Sequence, residues 1–375
     1  MNTDTPIYLD YNATNPVRPE VIDAMASALS LPGNPSSVHA AGRDAHRVLE
    51  DARDQIAAAI NAVRTEIVFT SGGTEADALA LSGAGARYLV VSAIEHDAVL
   101  AGAEATGLPT HILSVDAEGI VDLNELEQIL AREGAGGLVS IMLANNETGV
   151  LQPMAEIVSI AKAHDCMVHT DAVQALGKVP VDMRALDVDF LSLTAHKLGG
   201  PKGIGALVVK AGRDIAAAVH GGGQEQGRRS GTENLPGIAG FGAAAALVPQ
   251  SLEEMDALRT LRDDMEHAIL SACPETLVFS AGAERLANTS CLAMPGATGE
   301  TLLMSFDLKG ICVSAGSACS SGKVKQSHVL AAMGAGPLAA SAIRVSLGWN
   351  TQQSDVDAFV AAWTDLYERQ IAKTA

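Results

Sequence analysis

Apolar residues along this chain fall into two rhythms that take turns. Continuous apolar runs at Glu66 to Thr70, Tyr88 to Ala93, His111 to Val115, Leu138 to Ala144, Met167 to Thr170, Val188 to Leu193 and Gly205 to Lys210 are short enough for buried strands. Most are joined through segments with helical spacing, and a long helix before them carries Val48, Leu49, Ala52, Ile56 and Ile60 on one stripe. Strands that alternate with helices predict an α/β fold whose mainly parallel sheet is covered on both faces, with ligands at the carboxyl ends of its strands. Ahead of this region, Ile7 to Asp10 reads as a short strand that breaks at Asn12-Ala13-Thr14-Asn15-Pro16, and Pro19 opens a helix through Val21, Met25 and Leu29. Beyond it an Ala/Gly-rich helix leads to Pro249, and Ser251 begins a charged helix. The remainder reads helix, strand, strand, helix, strand, helix, the last running from Ser354 to about Ile371. The expected division is a large domain over residues 13–250 and a smaller α+β domain made of 1–12 and 251–375.

Composition narrows the class. With 375 residues, 48% of them hydrophobic, the chain can bury full cores, and its formal charge of −19 argues against nucleic acid or an anionic membrane as partner. No signal-like segment follows Met1 and no apolar stretch approaches a bilayer span, so a cytoplasmic protein is expected. The five cysteines (Cys166, Cys273, Cys291, Cys312 and Cys319) are odd in number and form no Cys-x-x-Cys pair, which points to reduced thiols and to no metal site.

The candidate chemistry gathers at strand ends. Lys197 lies in a glycine-rich bend, Thr194-Ala195-His196-Lys197-Leu198-Gly199-Gly200-Pro201-Lys202-Gly203, between two apolar runs. It is either a loop lysine or a desolvated amine able to form a Schiff base with a carbonyl. Ser71-Gly72-Gly73-Thr74 joins a strand to a helix start, which is an ordinary tight turn or a phosphate cradle. Asp171, just past a strand, is a helix cap or a carboxylate for a pyridine nitrogen. His96 follows another strand, where it caps a helix or offers a flat ring with a near-neutral pKa, while His169 falls within a strand and is expected to be packed. Asn145-Asn146 follows the strand Leu138 to Ala144, and an amide at that end can hydrogen-bond a substrate carboxylate and a cofactor oxygen together. Arg344 is a charge within an apolar strand and needs an anion, either a structural Asp or Glu or a substrate carboxylate. Cys312 lies in an apolar strand and reads as packing. Cys319 sits among serines and glycines near Lys323 and Lys325, as an incidental loop thiol or as a tethered nucleophile.

From Tyr8 to about Leu366 these motifs, in this order, resemble the class V aminotransferase-fold enzymes, and among them the cysteine desulfurases. The resemblance implies fold type I of the pyridoxal 5'-phosphate enzymes, with Lys197 anchoring the cofactor and His96 stacking on its ring and moving protons. It places Gly73, Thr74, Thr194, His196 and Thr232 among the cofactor-binding residues, Asp171 on the ring nitrogen and Gln174 on the phenolic oxygen, with Asn146, Arg344 and Asn34 toward the substrate. It further implies a homodimer in which the glycine-rich loop His220 to Thr232 crosses over, so that Thr232 reaches the partner's phosphate, and a mobile catalytic loop of about 314–326 that carries Cys319. L-Cysteine would then give L-alanine and a persulfide on Cys319. The sulfur would pass to an acceptor such as an iron-sulfur scaffold or to tRNA thiolation. A selenocysteine lyase, another class V aminotransferase and a non-catalytic scaffold are the competing readings. Asn15 and Ala78 depart from the family pattern, which usually has threonine and often has asparagine at these places.

Overall fold

The computed structural model describes residues 6–316 and 326–374. Its strands in chain order are β1 (Ile7–Tyr8), β2 (Ile67–Thr70), β3 (Leu89–Ser92), β4 (Thr110–Leu113), β5 (Leu138–Ser140), β6 (Met167–Asp171), β7 (Phe190–Thr194), β8 (Gly205–Val209), β9 (Leu277–Val278), β10 (Thr289–Ala293), β11 (Ile311–Cys312) and β12 (Ala342–Ser346). Seven form one sheet in the order β2-β8-β7-β6-β5-β3-β4. Only β8 runs against its neighbours, pairing antiparallel with β2 and with β7, so the sheet is mainly parallel as expected for fold type I.

Alternation along the strands sends neighbouring residues to opposite faces. Ile67, Phe69, Val90, Leu191, Leu193, Ala206 and Val208 pack with the helices Ala40–Ala59 and Leu235–Ala246, while Val68, Leu89, Val91, Phe190, Leu207 and Val209 pack with Gly73–Gly83 and Asp97–Thr106. Both faces are therefore covered, and the open positions lie at strand ends. β5 is shorter than its apolar run predicts. Because β3 has already ended there, Met142 donates its N–H to the side chain of Glu95, 2.9 Å away, in place of a strand partner.

A separate apolar cluster holds Leu9, Leu258, Leu292, Phe306, Ile343, Phe359 and Trp363, with Phe306 stacked on Phe359 at 4.9 Å between centroids. β10 lies between β9 and β12, antiparallel to both, and β1 pairs in parallel with β11, bringing Ile7 beside Ile311. The charged helix starts at Val248 rather than Ser251, since Pro249 falls in its first turn, where a missing N–H costs nothing. The apolar strand expected around Arg344 is β12, and a short helix, His328–Ala332, that the pattern does not indicate lies between β11 and β12, ahead of the final helix, Gln353–Thr374. Among the described residues no single helix is long and apolar enough to cross a membrane.

Candidate active site

The sheet changes direction between β3 and β5, because β4 is added on one side of β3 while β5, β6 and β7 follow on the other. A cavity of about 220 Å³ opens above the carboxyl ends on this line, the expected place for a ligand in an open α/β sheet. It brings together Gly73, Thr74, His96, Asn146, Asp171, Gln174, Thr194, His196, Lys197 and Arg344, which come from six separate motifs of the sequence.

Lys197 belongs to the connection between the antiparallel neighbours β7 and β8, where Thr194 faces Gly205. Gly199 adopts a φ of +80° in this bend, and a side chain on Gly205 would come within 2.6 Å of the backbone at Gly72. The bend therefore needs bare backbone to bring the lysine close to the phosphate turn. Half-buried Lys197 donates from Nζ to the carbonyls of Asn12 and Ala13, the latter at 2.8 Å. His196, beside it, contacts the Thr14 hydroxyl at 3.3 Å, and burial holds its imidazole down at a pKa of about 4. The departure Asn15 is part of the same contact: its amide donates to the carbonyl of Lys197 at 3.3 Å.

At the turn after β2, the first intrahelical bond runs from the Ala76 N–H to the Gly72 carbonyl, so the N–H groups of Gly73, Thr74 and Glu75 have no acceptor within the helix. Those donors and the helix dipole suit an anion. Gly73 must stay small, since a Cβ there would lie 2.9 Å from Val173 Cγ2.

Asp171 ends β6, nearly buried, and accepts the Val173 N–H at 2.8 Å. Burial pushes its carboxyl up, and the charges of His96 and Lys197 pull the other way. A buried carboxylate of this kind gains a good partner in a protonated ring nitrogen. His96 caps Asp97–Thr106, its Nδ1 accepting the Ala98 N–H at 3.1 Å, so in the neutral ring the proton sits on Nε2. The capping alternative is thus real for His96, whereas no helix directly follows Asp171, whose oxygen closes a turn instead, and both residues line the cavity. His169 is packed as expected, bridging Ser140 and Ser192 with no exposed surface, and burial lowers its pKa to about 3.

Arg344 has its structural carboxylate, Asp10 at 2.7 Å, and also donates to the Asn146 carbonyl at 2.9 Å. Its Nε and the Asn146 Oδ1 are buried without hydrogen-bond partners. Several groups near the cavity drew no attention in the sequence. Asn12 is fully buried, and its carbonyl accepts from both Lys197 and Gln174. Asp77 lines the cavity with a buried, unpartnered Oδ1, and burial together with the Asp171 charge pushes its carboxyl well up. Glu95 is buried beside them, its carboxyl pushed up by burial to about 8.

Two expected residues, Asn34 and Thr232, are not in this cavity. Asn34 is exposed in a turn, where its Oδ1 accepts the Ser36 N–H at 2.8 Å. Thr232 is exposed in a separate depression with Phe69, Thr70 and Ser71. Its loop is fastened by Glu225, which accepts from Arg53 at 2.8 and 2.9 Å and from the Phe69 N–H at 2.9 Å. Cys319 lies outside the described residues, but the flanks of its segment are visible. Ser314 pairs with Arg344, Ser327 donates to Glu147 at 2.6 Å, and a Cβ on Gly316 would meet Ser327 Cβ at 2.7 Å. Cys312 sits in β11, half-buried, its thiol pKa raised by burial.

The cavity residues fit pyridoxal 5'-phosphate: an amine for the aldehyde, a buried acid for the ring nitrogen, and a helix start for the phosphate. Comparison with known proteins agrees. The family model for aminotransferase class-V matches residues 7–359. A cysteine desulfurase IscS of Dictyoglomus turgidum is 41% identical over 98% of this chain and 95% of its own length. A NifS-like protein from Rickettsia africae superposes with a TM-score of 0.89 at 37% identity, covering 97% of this chain and 99% of that one. SspA, solved in complex with cysteine, superposes with a TM-score of 0.78 at 30% identity over 91% of this chain and 98% of its own. This chain belongs to the aminotransferase class-V family, a family of pyridoxal-phosphate-dependent enzymes that includes the cysteine desulfurases it resembles.

Proposed function

We propose that this protein is a cysteine desulfurase that takes the sulfur of L-cysteine, releases L-alanine and keeps the sulfur as a persulfide on Cys319. The observation that carries this is the meeting of Lys197, Asp171, His96 and Arg344 around one cavity, with both flanks of the Cys319 segment tied beside it. Bound pyridoxal phosphate supplies the electron sink that stabilises a carbanion at the substrate Cα. Lys197 holds its aldehyde, Asp171 keeps its ring nitrogen protonated, and Gly73 and Thr74 hold its phosphate. Arg344 and Asn146 orient the substrate carboxylate, and Lys197 and His96 carry protons to and from the substrate carbons.

The Cys319 thiolate attacks the substrate sulfur. As the new S–S bond forms, the Cβ–S bond breaks, its electron pair stays with the β-carbon, and that carbon is protonated to the methyl group of alanine. Cys319 is three positions beyond Gly316 in the sequence, a reach of about 10 Å for extended chain. The sulfur then passes to an acceptor protein such as an iron-sulfur scaffold. A thiol used in this way suits the reducing cytoplasm. We assign the cofactor to residues 13–250 and the Cys319 loop to the unit of 1–12 and 251–375. In a homodimer, Thr232 would complete the phosphate site of the other copy.

The test is mass spectrometry after incubation with L-cysteine, alongside an alanine assay. Sulfur on Cys319 and loss of alanine in Cys319→Ser, with Cys312→Ser unaffected, are the expected results. A sulfur adduct mapped to Cys312, or normal alanine release from Cys319→Ser, would refute the mechanism.

A further inference from the structure

Behind the cavity wall, four residues after Gln174, Lys178 is buried in a polar cluster. Its Nζ donates to Gln174 Oε1 at 2.7 Å and to Asn12 Oδ1 at 2.9 Å. The Asn12 side chain is held in turn by Asn288, which donates to the same oxygen at 3.2 Å, and by Thr289 Oγ1, which accepts from Asn12 Nδ2 at 2.9 Å. Burial, and then the charges of Lys197 and Arg344, push the Lys178 ammonium well below the usual lysine range. Neither bond depends on the extra proton, because a neutral amine still has two N–H groups to give to two oxygens.

The partners of Gln174 define which way its amide points. The Asn12 carbonyl can only accept, so it takes the amide nitrogen, at 2.9 Å, and Lys178 meets the amide oxygen on the other side. One N–H of the amide is used on Asn12, and the second remains for the cavity that Gln174 lines. We propose that Lys178 is a positioning residue for the cofactor: by occupying the Gln174 oxygen from behind, it keeps the amide nitrogen turned toward the ring oxygen of bound pyridoxal phosphate. The proposal rests on the assignment of Gln174 to that ring oxygen. Without Lys178 the amide oxygen is buried without a donor, and rotation that relieves it places an acceptor against another acceptor.

The test uses apo-protein reconstituted with pyridoxal phosphate, read by the position of the visible absorption band and by the cofactor dissociation constant in equilibrium dialysis. Lys178→Met and Gln174→Met are each expected to move the band in the same direction and to weaken cofactor binding about tenfold, the scale of one buried hydrogen bond lost with its acceptor left unsatisfied. The double variant should be no worse than either single one, because both remove the same contact. Effects that multiply in the double variant, or a Lys178→Met protein with the wild-type band and affinity, overturn the proposal. Should Lys178→Met lose its cooperative melting transition, Lys178→Gln decides, since it keeps an N–H donor without the charge. A wild-type band there supports the proposal, and a band displaced as in Gln174→Met overturns it. Wild-type apo-protein that takes up no pyridoxal phosphate would instead refute the cofactor site itself.

Discussion

Arg344 and Asp10 meet at 2.7 Å across 334 positions of sequence, and the guanidinium so held faces the cavity. The ion pair supplies the structural anion that a charge in an apolar strand requires, and it also presets the direction of the remaining N–H groups. Arg344→Ala should raise KM for L-cysteine roughly 30-fold or more, the scale of a lost charge-assisted pair, and should lower the melting temperature because Asp10 loses its partner. Arg344→Lys should not restore KM, as a single ammonium cannot serve Asp10, the Asn146 carbonyl and a carboxylate in the same geometry. Steady-state kinetics with thermal melts check this, and an unchanged KM for Arg344→Ala would make the residue purely structural.

Lys197→Ala should leave no cofactor attached after borohydride reduction and no measurable turnover. The fold should survive, since the half-buried lysine makes its described bonds to two backbone carbonyls only at the tip. Intact mass after reduction is the readout, and a retained covalent cofactor would move the anchor to another amine.

Asp171→Asn keeps the size of the side chain and removes its charge. The reaction should slow by about 10² to 10³, comparable with losing one preorganised electrostatic element, with near-native stability. Stopped-flow absorbance checks the loss, and a rate within a few-fold of wild type would leave Asp171 with only the turn-closing role that its bond to the Val173 N–H gives it.

Glu95 and His169 predict a pH signature in the apo-protein. Burial raises the Glu95 carboxyl from 4.5 to about 8, so the folded state holds a proton that the unfolded state releases, and stability falls as pH rises across that window. His169 has the opposite sign. Its pKa, lowered from 6.5 to about 3, contributes stability that is complete above 6.5 and is lost as pH falls toward 3. Between about pH 6.5 and 8 only the Glu95 contribution of the two remains, and melting temperatures there should decline with pH in the wild type and flatten in Glu95→Gln. An identical slope in the variant would assign the decline to other groups.

Much of this was legible in the residues. The seven strands of the main sheet stand out because a strand buried on both faces must be continuously apolar, and the strand-end motifs converge because the parallel topology sends those ends to one line. What stayed hidden depends on contacts between distant segments. Asn12 sits in an unremarkable polar turn, and nothing nearby tells that its carbonyl will meet Lys197 and Gln174. Asp77 and Lys178 did leave a trace of the kind that exposed Arg344. Each is a charge beside apolar neighbours, Ala76, Ala78 and Leu79 for one, Val179 for the other. The helix starts at Val248, ahead of its charged run, because the first turn of a helix accepts a proline that elsewhere would end one.

The ties of Asn12 also bear on how the protein is made. Its N–H donates to the Ser346 hydroxyl at 2.9 Å, and Asp10 bridges to the same residue, so the floor beneath Lys197 joins two segments that leave the ribosome 334 residues apart. The central sheet can assemble while synthesis continues. The pocket cannot close until β12 has emerged. A nascent chain halted before that strand would carry the lysine, the acid and the phosphate turn without the wall that Arg344 and Asn12 complete, so ordered uptake of the cofactor waits for β12.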